Sequence, residues 1–259
     1  MNKTILITGA TSGFGKAIAI RFAKEGYNVC LTGRRKERLD ALKLELEAFG
    51  VSVVTLGFDI RNRVQVEAAI STLKTQVSSI DILVNNAGLA AGFSAIDEGN
   101  LDDWDTMIDT NLKGLLYITR QIAPMMRAQA RGHIINIGST AGKQVYKNGN
   151  VYCATKFAVE ALNQAMRIDL LPYGIKVTAI NPGMAETEFS LVRFKGDEER
   201  ARGVYADIKP LQAEDIADIA WYCASLPPHV CINDLTVTCL TQATSVYAIK
   251  EHERVKPAP

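Results

Sequence analysis

Lys3-Thr-Ile-Leu-Ile-Thr8-Gly9-Ala-Thr11-Ser12-Gly13-Phe14-Gly15 is a β-branched apolar run that stops at a glycine-rich turn and passes directly into a helical pattern. A short continuous apolar run of this kind reads as a parallel strand buried on both faces. Gly9, Gly13 and Gly15 allow a tight turn and close approach of backbone to a ligand. The helix that opens there offers unpaired N–H groups to a pyrophosphate. The spacing G-x-x-x-G-x-G differs from the G-x-G-x-x-G dinucleotide fingerprint, so its place after the first strand carries the reading.

Outward from this unit, strand and helix keep alternating. A helix to about Gly26 leads to a strand at Asn28–Thr32 and then Gly33-Arg34-Arg35. Dinucleotide folds that take NAD place an acidic residue here for the ribose 2′-hydroxyl, whereas a 2′-phosphate calls for arginine. Arg34 and Arg35 therefore predict the phosphorylated cofactor, NADP. Leu39, Leu42, Leu46 and Phe49 mark the apolar stripe of a second helix. Val51–Leu56 is a third strand, and Asp59 after it either borders an adenine pocket or caps the next helix. A fourth strand, Ile80–Val84, ends in Asn85-Asn86-Ala87-Gly88, small and polar residues suited to lining a cofactor. Residues 103–130 read as one long helix containing Asn111, more apolar than a single core stripe requires.

The fifth strand, His133–Gly138, delivers Ser139 at its carboxyl end, where open parallel sheets place their ligands. The stretch from Ser139 runs into a helix bearing Tyr152 and Lys156. Four residues apart, these two share one helix face, so a fixed ammonium stands near a phenol. Such a cation favours phenolate and lowers the tyrosine pKa from its ordinary ~10 toward a value useful for acid–base catalysis. A sixth strand, Ile175–Asn181, closes at Pro182-Gly183. Residues 184–209 lack clean periodicity and read as a substrate-covering lid. A helix near Ala213–Ala224 and a strand near Leu235–Cys239 complete a seven-stranded parallel sheet. The expected architecture is α/β, a single doubly wound domain over residues 1–249, with a charged, proline-terminated and disordered tail at 250–259.

Composition narrows the function classes. Lys and Arg number 29 against 28 Asp and Glu, and no basic stretch interleaves with aromatics, which argues against a nucleic-acid partner. No apolar run reaches the roughly 18 residues of a membrane span, and none forms a signal-peptide core, so a soluble cytoplasmic protein is expected. The five cysteines are widely spaced without C-x-x-C and read as buried free thiols. The three histidines show no metal-ligand spacing, so no metal is predicted.

From Thr8 to about residue 240 the chain resembles the short-chain dehydrogenase/reductase family. Thr8-Gly9 through Gly15, Asn85-Asn86-Ala87-Gly88, Asn111, Ser139, Tyr152-x-x-x-Lys156 and Pro182-Gly183-x-x-x-Thr187 stand in that family's order and approximate spacing. Asp105-Thr-Met-Ile-Asp-Thr-Asn111, Ile137-Gly-Ser-Thr-Ala-Gly142 and Thr187-Glu-Phe-Ser-Leu-Val-Arg-Phe-Lys-Gly196 are similar to its NADP-dependent 3-hydroxy acid dehydrogenase branch, which includes serine and L-allo-threonine dehydrogenases. Lys143 and Lys147 depart from that branch.

The resemblance implies a Rossmann-like fold and a catalytic set of Ser139, Tyr152, Lys156 and Asn111. Tyr152 would exchange a proton with the carbonyl or alcohol oxygen that Ser139 holds. Lys156 would lower the tyrosine pKa and bind the nicotinamide ribose, and Asn111 would position a water linking Lys156 to solvent. The NADP site would draw on Gly9, Thr11, Ser12, Gly13, Phe14, Gly15, Arg34, Arg35, Asp59, Asn86, Ala87, Gly88, Tyr152, Lys156, Pro182, Gly183 and Thr187. A homotetramer assembled through the apolar helices is implied as well.

Three functions compete. The first is an oxidoreductase for small 3-hydroxy acids and their semialdehydes or ketones, the second a 3-oxoacyl thioester or general carbonyl reductase, and the third a non-catalytic NADP-binding redox sensor. A binding module has no need of the proton relay, which favours an enzyme. A carboxylate-bearing substrate requires a cation near Ser139 and Tyr152. Arg193 is the first candidate because its planar fork binds carboxylates with two parallel bonds, and Lys143, Lys147 and Lys195 are the others.

Overall fold

The structure, a computed structural model, describes residues 2–255. Seven strands form one parallel sheet in the order β3-β2-β1-β4-β5-β6-β7. Their bounds are β1 Thr4–Ile7, β2 Asn28–Gly33, β3 Val53–Gly57, β4 Ile82–Asn85, β5 Gly132–Ile137, β6 Ile175–Pro182 and β7 Asp234–Val237. The order reverses between β1 and β4, so the chain's two halves diverge there and leave a crevice at the carboxyl ends of the strands.

Side-chain alternation along each strand builds two cores, one on each face of the sheet. Ile5 and Ile7 point to the face covered by α1 (Gly13–Lys24), α2 (Lys36–Glu47) and α9 (Ala213–Ser225), while Leu6 between them points to the other. That second face carries α3 (Arg63–Gln76), α5 (Leu115–Ala128) and α6 (Asn150–Leu170). Phe22, Tyr27 and Trp221 lock α1 to α9 edge to face, with ring centroids 5.2 to 5.7 Å apart. A chain of buried amides crosses the second face beneath the crevice. Asn85 donates to Asn136 Oδ1 at 2.9 Å, Asn136 donates to Asn163 Oδ1 at 2.9 Å, and Asn163 donates to the Asn233 carbonyl at 3.3 Å.

Several expectations are revised. The long helix read at 103–130 spans Leu101–Ala128 but is interrupted by a π-helical turn at Asp109–Gly114, leaving α4 as Leu101–Ile108. Asn100 starts it by accepting the Asp103 N–H at 2.9 Å. Phe49 falls beyond the end of α2 and is exposed, with the Lys24 ammonium over its ring, whereas Leu39, Leu42 and Leu46 are buried as the stripe predicted. Asn62, not Asp59, caps α3 through the Gln65 N–H.

The stretch read as a lid holds two short helices, α7 (Glu188–Arg193) and α8 (Glu198–Gly203). Residues 250–255, expected as a disordered tail, instead lie against that lid. Glu251 N–H donates to the Asp207 carbonyl at 3.0 Å and the His252 ring meets the Asp207 carboxylate. Residues 256–259 of that expected tail lie outside the described residues. The five cysteines are free, with all but Cys231 buried.

Candidate active site

The cradle at the end of β1 follows from chain packing. Gly9 and Gly13 adopt left-handed φ of 67° and 50°. Gly15 packs so closely that a Cβ there would sit 2.4 Å from the Gly9 carbonyl and 2.5 Å from the Asn86 amide. The segment after β4 is lashed to this turn. Thr8 Oγ1 accepts the backbone N–H groups of Asn86 and Ala87 at 3.0 and 2.9 Å, and Asn86 Nδ2 donates to the Thr8 carbonyl at 2.8 Å. Ser12, the N-cap of α1, makes no side-chain capping bond, so the first-turn N–H groups open into the crevice. Backbone without side chains at a helix N-terminus is the geometry a pyrophosphate requires.

At the end of β2 the guanidinium of Arg35 lies across the glycine turn. Its Nη2 donates to Thr11 Oγ1 and Ser12 Oγ, each at 2.8 Å, and its Nη1 to Glu188 of α7 at 2.9 Å. Arg34 lines the same crevice. Gly33 leaves its space to Thr11, since a Cβ there would lie 2.7 Å from Thr11 Cγ2. Asp59 borders the crevice, and hydrogen bonds from Arg61 hold its carboxyl below the ordinary carboxylate range against the opposing effect of burial.

The crevice, about 890 Å³, runs from Arg34 and Asp59 past Gly88, Ser139, Tyr152 and Lys156 to the lid. Ser139 ends the fifth strand's turn with its N–H bound to Asn181 Oδ1 at 3.1 Å, and its hydroxyl accepts the Ala141 N–H at 3.0 Å. Ser139 and Tyr152 line the same stretch of the crevice. Lys156 Nζ donates to the Ile137 carbonyl at 2.9 Å and lies 5.9 Å from the centroid of the Tyr152 ring. Asn111, on the π turn, receives the Leu89 N–H and donates to the Leu89 carbonyl, both at 2.8 Å, and reaches Thr155 Oγ1 at 3.1 Å. Its amide thus fixes the segment after β4 to α6.

The electrostatics differ from the sequence expectation. Burial pushes the Tyr152 phenol above its ordinary pKa, and the opposing influences are the Arg193 guanidinium and the Ser139 hydroxyl. Burial also lowers the Lys156 ammonium to about 8, with Glu160 one turn further on α6 working against the drop. For the tyrosine, desolvation therefore outweighs the cation beside it, which is Arg193 and not Lys156.

The four candidate substrate cations part company. Arg193 projects from α7 into the crevice with its guanidinium carbon 5.1 Å from the Tyr152 ring centroid and 4.9 Å from that of Phe189, and it donates to Tyr146 Oη at 2.7 Å. Lys147 lines the crevice but is exposed. Lys143 is bound to Glu160 at 2.5 Å and to Asp234 and is not among the residues lining the crevice. Lys195 pairs with Asp103 at 2.9 Å.

Pro182 and Gly183 close the floor of the crevice. Gly183 leaves room for Gln242, whose Oε1 accepts the Met184 N–H at 2.7 Å. Thr187 caps α7 beside Gly13. Thr8, Tyr146, Glu188, Phe189 and Gln242 also build the site, beyond the residues the sequence assigns to it. Thr8, in Thr8-Gly9, and Glu188 and Phe189, in the Thr187-Glu-Phe run, lie within motifs legible in the sequence, whereas Tyr146 and Gln242 carry no such signal.

A family model described as short chain dehydrogenase matches residues 3–197. A protein of Salmonella typhi named NADP-dependent 3-hydroxy acid dehydrogenase YdfG is 50% identical over 240 residues, 92% of this chain and 96% of its own. A Chromohalobacter salexigens protein named sulfoacetaldehyde reductase 2 is 45% identical over 250 residues, 96% of this chain and 99% of its own. Among solved structures, the closed form of a serine dehydrogenase complexed with NADP+ superposes with a TM-score of 0.89 at 45% identity, covering 95% of this chain and 98% of that one.

Proposed function

Given that the chain belongs to the short-chain dehydrogenase family, we propose that it is an NADP-dependent oxidoreductase interconverting a small 3-hydroxy acid with its semialdehyde or ketone. The observation that carries the reading is the convergence of Ser139, Tyr152 and Lys156 with the Arg193 guanidinium in one crevice. The cradle fits the dinucleotide: a Cβ at Gly15 would fill the space that backbone leaves open, and arginines stand where a 2′-phosphate would lie.

A bound dinucleotide would supply the hydride in reduction and accept it in oxidation. The protein holds and moves the proton. Ser139 orients the substrate oxygen by hydrogen bond, and Tyr152 donates its phenolic proton to that oxygen in reduction and accepts it in oxidation. Lys156, buried beside Tyr152, stabilises the phenolate left behind and would bind a ribose hydroxyl of the cofactor. Arg193, over the ring of Tyr152, receives the substrate's anionic group and so sets which carbon faces the tyrosine. A carboxylate and a sulfonate are both suited to that fork, consistent with the names of the relatives. We further assign the chain to the cytoplasm as a homotetramer.

Two measurements test the reading. A spectrophotometric panel of 3-hydroxy acids, secondary alcohols, sulfoacetaldehyde and 3-oxoacyl thioesters with both nicotinamide cofactors should give its highest kcat/KM with NADP and a small acid. Highest turnover on thioesters would make the chain an acyl reductase instead. Tyr152→Phe should abolish nearly all turnover while NADPH still binds, and retained turnover would remove Tyr152 from the chemistry.

A further inference from the structure

Two arginines hold a carboxylate of the protein's own at the end of the crevice where the cofactor's 2′-phosphate is expected. Glu188, the first residue of α7, receives Arg35 Nη1 on one oxygen at 2.9 Å and Arg38 Nη1 on the other at 2.6 Å. The remaining edges of the Arg35 guanidinium are taken up by Thr11 and Ser12. Arg35 is also the N-cap of α2, and Arg38 lies in that helix's first turns, where the macrodipole favours an anion and disfavours bare cations. Glu188 meets that demand. Burial pushes its carboxyl up, but the two arginines outweigh burial and hold it below the ordinary value, so it is anionic at neutral pH.

We propose that Glu188 is a built-in occupant of the 2′-phosphate subsite: its carboxylate holds Arg35 and competes with the phosphate for that cation. The inference rests on the NADP reading above and adds a lid residue to the determinants of cofactor choice. A 2′-phosphate carries more charge and more acceptor oxygens than a carboxylate, so it displaces Glu188, whereas the 2′-hydroxyl of NAD has no charge with which to do so. Discrimination between the cofactors then arises partly from what each must displace, in addition to what each touches. It also links the cofactor's adenine end to α7, the helix that carries Arg193.

Glu188→Gln keeps the shape and removes the charge. Glu188 is about two-fifths exposed, so the fold tolerates the change. Isothermal titration should show adenosine 2′,5′-bisphosphate and NADPH binding roughly three- to tenfold more tightly to the variant, the size set by two half-exposed ion pairs. Adenosine 5′-monophosphate and NADH should bind as before. Unchanged or weaker binding of the bisphosphate would overturn the proposal and make Glu188 a residue that orients Arg35 for the phosphate. Equal tightening for both nucleotides would overturn it too, as a general gain from removing negative charge. Failure of the NADP reading would look different: wild-type protein would prefer NADH whatever the variant does.

Discussion

Tyr152 is asked to give up a proton from a place that resists charge. Burial keeps its phenol protonated at neutral pH, the form needed to reduce a carbonyl. Lys156 titrates lower, at about 8, because its ammonium is equally enclosed. The kcat/KM for reduction should therefore be level through neutral pH and fall as pH rises through about 8, where the lysine loses its charge. A falling limb on the acid side of neutrality would contradict this order. Arg193 should be separable from that chemistry. Arg193→Met is expected to lower kcat/KM for 3-hydroxy acids roughly ten- to a hundredfold, the range for a hydrogen bond to a charged group, and to spare uncharged alcohols. Parallel losses on both would make it a lid-shaping residue. The Tyr152–Lys156 pair was legible because helical spacing fixes its geometry. The sign of the tyrosine shift was not, since desolvation depends on what the rest of the fold places overhead.

The π turn at Asp109–Gly114 and α6 act together as the site's base. One extra residue in the turn lets Asn111 face both groups of Leu89, a single-turn distortion of the kind often found at functional sites. Sequence periodicity cannot reveal it, because the apolar stripe continues on both sides. On α6, Glu160 lies one turn beyond Lys156 and is clamped by Lys143. Its carboxylate favours the charged lysine, so Glu160→Gln should move the alkaline limb of the reduction profile to lower pH, and an unmoved limb would show that Glu160 does not tune Lys156. At the end of β2, Arg34→Ala should weaken NADPH binding by about 1.5–3 kcal/mol and leave NADH little changed. Equal losses would mark Arg34 as structural. The glycine turn and the strand ends were readable from punctuation by Gly and Pro. The Glu188–Arg35 contact, 153 positions apart in sequence, was not.

For the whole molecule, the alternation of strands and helices dictates three layers, and the observed strand order completes what periodicity alone leaves open. His133, enclosed in β5 with Nε2 against Thr178 Oγ1 at 2.7 Å, has its pKa pushed down to about 3, chiefly by burial. Its folded pKa lies below its unfolded value of about 6.5, so the unfolded chain binds the extra proton. That contribution to stability is complete above about 6.5 and is lost as pH falls toward about 3. Urea unfolding should show this acid-side slope, and His133→Gln should flatten it; an unchanged slope would assign the acid sensitivity elsewhere. Assembly is tested by light scattering. Leu116 on α5 with Phe157 and Ile168 on α6 are exposed apolar residues suited to a symmetric interface, and a monomer at micromolar concentration would refute the tetramer. The distribution of thiols offers a clock for local opening of the fold. Cys231 alone is partly open, Cys153 sits beside Tyr152, and Cys30 lies in the middle of β2 with its pKa raised by burial to about 12. Alkylation with a small reagent should label Cys231 first, Cys153 when the active-site wall breathes, and Cys30 only when the sheet opens. One mass spectrum taken over time would then rank three depths of unfolding without any introduced probe.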